Sequence, residues 1–296
     1  MVWARTLLLV DGHAYAYRSF HAIRGLTSPT GRPTNAVYGF LKSLHKLRAD
    51  LRPTHLAVVW DGGLARERME LLPQYKANRP PMPPALAEQL DEMVAWLDAS
   101  GIASLCAEGV EADDWIATLA RQAADTTARV VVASSDKDFM QLVSLPVGLL
   151  NPNDKTGAVW TADDVRGKSG VEPGQIVDWL SLVGDSVDNI PGVAGVGAKT
   201  ATTLLRRFGS WECLRARLGE VEPERLRLAL SAAAKLVARN QQLIRLKNDL
   251  PTDFDWDRLQ PRAEQAERLQ ELYLRWGFRS LLAGPEKSRS RQGTLF

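Results

Sequence analysis

LLLVD (7–11) is an apolar run that stops on a carboxylate, and the pattern returns in HLAVVWD (55–61) and RVVVASSD (129–136). Runs this short and apolar on both faces read as buried parallel strands, since a strand covered on one face would alternate apolar and polar residues. Between the first two, Val37, Phe40, Leu41, Leu44 and Leu47 recur at helical spacing, with a cap near Thr34 or Asn35. Residues 84–99 and 112–124 also read as helices. Strands alternating with helices give an α/β fold whose mostly parallel central sheet is flanked by helices.

From about residue 164 strand-like runs disappear and helical segments are joined by Gly- and Pro-containing turns. The expected organisation is an α/β core over 1–170, an all-helical region over 171–260, a C-terminal helical return over 261–284 (with a helix at 264–276), and a disordered basic tail over 285–296. No stretch reaches the roughly 18 apolar residues of a membrane span, and the run at 7–10 is too short for a signal peptide. A cytoplasmic protein is therefore expected. Cys106 and Cys213 form no metal-binding pair and read as small buried or half-buried residues.

Asp11, Asp61 and Asp136 each follow a strand-like run, and ligands of open parallel sheets bind just beyond the carboxyl ends of the strands. Asp138 follows two residues later, and Glu111, Asp113 and Asp114 open the helix of 112–124. One such Asp reads as a helix cap. Three strand ends that all choose Asp do not. Two ionised carboxylates ~5 Å apart repel by roughly 3 kcal/mol at an effective dielectric of 20, so such a group needs cations or protons. Oxygen ligands without His or Cys select Mg²⁺ or Mn²⁺. With Asp185 and Asp188 added to these seven, the remaining chain has 37 basic against 26 acidic residues, a basic body around an acidic focus.

The loop Gly192-Val-Ala-Gly195-Val-Gly197-Ala-Lys199-Thr200 does not read as a nucleotide-binding P-loop, because Ala198 separates Gly197 from Lys199 and what precedes is an acidic, Pro-containing turn. It reads as a helix-hairpin-helix turn that offers backbone N–H groups and Lys199 to a DNA phosphate, without reading bases. The Pro-rich stretch 62–84 carries Arg66, Arg68, Lys76 and Arg79, and Arg66 and Arg68 read equally well as solvated loop residues. Tyr17 and Phe20 read as packing residues that could also stack on a base, and the four histidines as structural.

LVDGHAYAYRSFHA, AVYGFLKSL, VVWD, LLPQYKANRP, VEADD, SSDKDFMQLV, LVGDSVDNIPGVAGVGAKTA and GFRSLL occur in order over residues 6–282. Together they resemble the 5′ nuclease domain of bacterial DNA polymerase I and the related stand-alone flap endonucleases. The resemblance implies a PIN-like or resolvase-like core and metal binding by Asp11, Asp61, Glu111, Asp113, Asp114, Asp136, Asp138, Asp185 and Asp188. It implies two Mg²⁺ or Mn²⁺ ions, or three: one held mainly by Asp11, Asp61, Glu111 and Asp113, the second by Asp113, Asp136 and Asp138, with Asp185 and Asp188 supporting it or binding a third. Lys76 and Arg79 would meet the scissile phosphate in an arch over 62–84, with Arg18 a further phosphate contact. Gly192, Gly195, Gly197, Lys199 and Thr200 would hold duplex DNA, with K⁺ on the loop carbonyls. Two positions depart from the family pattern: Gly62-Gly63 after Asp61, and Val187 where Ser is usual.

The expected activity is that of a monomeric, stand-alone 5′-3′ exonuclease and flap endonuclease, acting on branched, flapped or nicked DNA. A ribonuclease acting on RNA–DNA primers, or a non-catalytic junction-binding protein, are the alternatives. Gln292, Leu295 and Phe296 resemble the short peptides that dock on the bacterial sliding clamp, the other reading being a tail with two stray hydrophobes.

Overall fold

The computed structural model describes residues 3–126, 128–252 and 254–282. The tail residues Gln292, Leu295 and Phe296 lie outside them. All three apolar runs are strands: β1 Thr6–Asp11, β2 His55–Val59 and, fourth in chain order, β4 Arg129–Ala133. Leu7, Leu8, Leu9 and Val10 have no exposed surface, so β1 is covered on both faces as its unalternating sequence requires. Each such side chain contributes roughly 1.5–3 kcal/mol relative to exposure. A charged residue at Leu8 would remove that contribution and add an unpaired buried charge.

Three short strands complete the sheet: β3 Ala103–Leu105, β5 Val147–Leu150 and β6 Val159–Trp160. The order is β3-β2-β1-β4-β5-β6, with β1, β4 and β5 parallel and β6 antiparallel to β5. The helices before residue 170 are α1 Gly12–Ala22, α2 Asn35–Leu51, α3 Arg66–Leu71, α4 Pro84–Ala99, α5 Ala112–Ala124 and α6 Ala162–Ser169. A C-cap at Gly170, φ 81°, stops α6.

Beyond it come α7 Ile176–Val183, α8 Ala198–Phe208, α9 Trp211–Ala216, α10 Glu224–Ala232 and α11 Ala234–Ile244, then α12 Trp256–Leu259, α13 Ala266–Trp276 and α14 Arg279–Leu282. The stretch expected to be all-helical contains one small exception, an antiparallel pair of β7 Gly184–Asp185 with β8 Ile190–Pro191. It forms because a Cβ at Gly184 would sit 2.4 Å from Gly192 N, and only paired glycines let these backbones close. Cys106 and Cys213 are both exposed, contrary to the packing role expected of them.

The chain divides into two units, one of residues 1–11, 59–81 and 105–254, the other of 12–58, 82–104 and 255 onward. All nine acids fall in the first. In the second, Trp96 donates to Tyr273 Oη at 3.0 Å and Gln265 N to Ala99 O at 2.8 Å, which ties α13 to α4. No helix among the described residues is long and apolar enough to cross a membrane.

Candidate metal centre

The parallel register pairs Val10 with Ala133, so the next residues, Asp11 and Ser134, emerge side by side. Buried Ser134 donates its hydroxyl to Asp11 Oδ2 at 2.7 Å and accepts from Asp136 N at 3.1 Å, locking two strand ends together. Asp61 lies just beyond β2 and accepts from Ala112 N at 2.8 Å, which caps α5 from a distance and places Asp113 on its first turn. Gly62 allows this. A Cβ there would lie 1.7 Å from Ala107 O, where the backbones of Gly62, Gly109 and Val110 exchange hydrogen bonds. The departure at Gly62 is thus a close-approach requirement, while Gly63 sits at φ 122°, a conformation that favours glycine.

Asp136 caps the 3-10 helix Lys137–Leu142 by accepting from Asp138 N at 2.9 Å. Buried Asp138 meets Asp185 and Asp188 from the β7–β8 turn, with one oxygen of each within 4.8 Å of the others. Asp138 Oδ1 is buried with no hydrogen-bond partner, which is costly for a carboxylate unless a cation faces it. Burial, then repulsion from Asp136, holds the Asp113 carboxyl well above the usual carboxylate range, against the opposing pull of Lys76. Burial, followed by Asp136, Asp188 and Asp185, does the same for Asp138, and burial raises Asp136 against the relief of its backbone hydrogen bond. Asp113 also feels Asp11 and Asp61, and Asp136 feels Asp185 and Asp188, so these seven form one electrostatic group.

Glu111 faces the group's cations. Its Oε2 accepts from Lys76 Nζ at 2.8 Å and Tyr75 Oη at 3.2 Å, and Arg68 lies 3.1 Å away. Burial works to raise its carboxyl, yet Lys76 and Arg68 hold it below the ordinary value. Lys76 Nζ lies 3.9 Å from Asp113 and 4.0 Å from Asp188, Arg79 bonds Asp188 at 2.5 Å, and Lys137 pairs with Asp185 at 3.0 Å. Burial works to lower the Lys76 ammonium, but Asp113 and Glu111 raise it, so it stays charged at every physiological pH. Its backbone sits at φ 55°, an uncommon conformation for lysine, fixed by its own N–H bonding to Asp188 O.

Asp114 does not join the cluster. Arg68 Nη1 and Nη2 bond its two oxygens at 2.8 and 2.7 Å, and Lys247 N adds a third bond at 2.9 Å. Helix geometry explains this, because consecutive residues point about 100° apart and Asp113 already faces the acids. Of the two readings left open for Arg68, the solvated loop residue does not hold: it is 3% exposed, whereas Arg66 is exposed beside Glu70. The expected arch is not an open loop either. It contains α3, and Asn78 and Asn189 stitch it to the β7–β8 turn through Ser186 O and Gln74 O.

The loop before α8 is exposed at Gly195 and Gly197, with Gly195 at φ 77°. Gly197 caps α8 with no side-chain hydrogen bond, and exposed Lys199 and half-buried Thr200 stand on the first turn. Arg18 is exposed on α1, in the second unit. Tyr17 and Phe20 are half-buried and pack on His21. Reading the sequence assigned no site role to Tyr75, Ser134 or Lys137, although all three lie inside the quoted blocks LLPQYKANRP and SSDKDFMQLV.

Carboxylates gathered at strand ends of a mostly parallel sheet suit an α/β protein that binds divalent cations. Residues 6–170 match the family described as 5'-3' exonuclease, N-terminal resolvase-like domain, and residues 171–267 the 5'-3' exonuclease, C-terminal SAM fold. The chain belongs to the 5'-3' exonuclease family. DNA polymerase I of Pseudomonas aeruginosa is 44% identical over 283 residues, 93% of this chain and 31% of that protein, so the chain spans about a third of such relatives. A 5'-3' exonuclease of Aquifex aeolicus is 36% identical over 99% of this chain and 100% of its own length. The fold is shared with the bacteriophage T5 flap endonuclease, seen in a complex with DNA and metal ions: TM-score 0.69, 22% identity, 92% of this chain and 100% of that one.

Proposed function

We propose that the chain is a structure-specific 5′ nuclease that hydrolyses DNA phosphodiesters near unpaired 5′ ends, with two Mg²⁺ or Mn²⁺ ions bound by its acids. The observation that carries this is the buried, unpartnered Asp138 oxygen beside Asp185 and Asp188. Asp136, Asp138, Asp185 and Asp188 would hold one ion, and Asp11, Asp61, Glu111 and Asp113 the other. Bound there, the ions supply Lewis acidity and charge neutralisation for in-line attack of water on the phosphate. Lys76 and Arg79 neutralise Glu111 and Asp188 in their absence, and the same cations are within reach of phosphate charge when ions take over the acids. Because Lys76 stays protonated, its part is electrostatic and not that of a base.

The first turn of α8, with Lys199 and Thr200 behind the Gly192–Gly197 loop, binds duplex phosphate through N–H groups and a side-chain charge, with K⁺ on the loop carbonyls. Arg18 adds a phosphate contact. The protein acts as a cytoplasmic monomer, and Gln292, Leu295 and Phe296 dock it on the sliding clamp, which binding of a 285–296 peptide to the clamp would test. The deciding experiment incubates purified protein with end-labelled flap, gapped and RNA-primed duplexes, in Mg²⁺ or EDTA. Cleavage at the flap base in Mg²⁺ alone is expected. Cutting that persists in EDTA, or is confined to RNA, contradicts the proposal.

A further inference from the structure

α11 ends at Ile244, so the carbonyls of its last turn and the backbone of the irregular residues 245–250 need partners other than a helix or sheet. Side chains supply them. Arg68 Nε and Nη2 donate to the carbonyls of Leu243 and Arg245 at 3.0 and 3.2 Å. Gln141 donates to Ile244 O and accepts from Leu246 N, both at 3.1 Å. Asp114 accepts from Lys247 N, Thr118 donates to Lys247 O and accepts from Leu250 N, and Arg121 donates to Asn248 O.

These partners come from three elements, and the acids depend on the same three. α5 begins between Glu111 and Asp113, the 3-10 helix of Gln141 carries Asp138, and α3 leads into Lys76. One buried guanidinium, Arg68, touches Glu111, both oxygens of Asp114 and two carbonyls of this segment at once. Its rigid fork couples the segment's position to that of Glu111, and a lysine could not satisfy all of these partners. Gln141 makes the matching connection on the other side, from the element of Asp138, without touching an acid in any of these bonds.

We infer that residues 243–250 are a strap that fixes the spacing of the carboxylates, with Arg68, Asp114 and Gln141 as its positioning residues, so that Asp114 acts through the strap and not as a metal ligand. This rests on the reading of the cluster as a metal centre. Groups that orient metal ligands typically change metal affinity or activity by about 10–100-fold when removed.

The test is calorimetric titration of the full chain with Mn²⁺ alongside flap-cleavage kinetics, for wild type, Asp114→Asn, Arg68→Lys, Gln141→Ala and Asp138→Asn. The three strap variants keep the wild-type number of bound Mn²⁺, bind them about 10–100-fold more weakly, and lose kcat with little change in KM for DNA. Asp138→Asn loses a bound ion. Melting curves check that each variant folds, and should Arg68→Lys fail, the other two decide. Asp114→Asn that binds one ion fewer overturns the strap, as does Gln141→Ala with wild-type Mn²⁺ affinity. Wild type that binds no Mn²⁺ refutes the metal centre itself, a result distinct from either.

Discussion

Removing Lys76 should cost stability chiefly when no divalent ion is present. The residue is 7% exposed, and its ammonium lies 2.8 Å from Glu111, 3.9 Å from Asp113 and 4.0 Å from Asp188. At an effective dielectric of 20 the first attraction is about 6 kcal/mol and each of the others about 4. The desolvation already incurred on burying the ammonium offsets much of this, and breaking a buried pair costs about 3–5 kcal/mol net. Arg68 remains 3.1 Å from Glu111 to share its charge, which places Lys76→Ala near the low end, about 3 kcal/mol. Urea unfolding in EDTA, followed by Trp fluorescence, measures the loss. In saturating Mn²⁺ it should shrink, because ions replace the missing charge and bind the variant more tightly. A loss below about 1 kcal/mol in EDTA, or an equal loss with and without Mn²⁺, would show that Lys76 does not neutralise the acids.

Asp136→Ala should abolish cleavage while DNA binding stays equal or tightens, since it removes both a ligand and repulsion towards phosphate; single-turnover rates and anisotropy check this, and a rate within tenfold of wild type refutes it. Lys199→Ala should weaken binding equally on unrelated duplexes and reduce the salt slope by about 1, as loss of one phosphate contact does; an unchanged slope would count against the hairpin reading. In EDTA the melting temperature should rise as pH falls through the raised folded-state values of Asp113, Asp136 and Asp138 towards 3.8, because the folded state then holds more protons than the unfolded one. Glu111, with its depressed carboxyl, opposes this from its ordinary value of 4.5 downward, and Mn²⁺ should flatten the rise; a melting temperature that falls monotonically on acidification in EDTA would contradict the mutual repulsion.

The parts of this fold legible in the sequence are those whose burial is complete and local. LLLV, HLAVV and RVVVA are strands because both faces are covered, and α4 and α5 occupy the ranges their periodicity predicts, 84–99 and 112–124. β3, β5 and β6 escaped because strands of two to four residues carry too little pattern. The burial of Arg68 was illegible for a different reason: its partner Asp114 is 46 residues away, and nothing in ARERME distinguishes it from Arg66. Adjacent Asp113 and Asp114 point about 100° apart on the helix, which leaves Asp114 able to turn to Arg68.

Crystals of the chain soaked in Mn²⁺, with anomalous-difference density, locate the ions directly. The account predicts two peaks roughly 4 Å apart, one against Asp136, Asp138, Asp185 and Asp188, the other against Asp11, Asp61, Glu111 and Asp113, with Asp114 still bonded to Arg68. No peak among these acids, or a peak bound by Asp114, would contradict it.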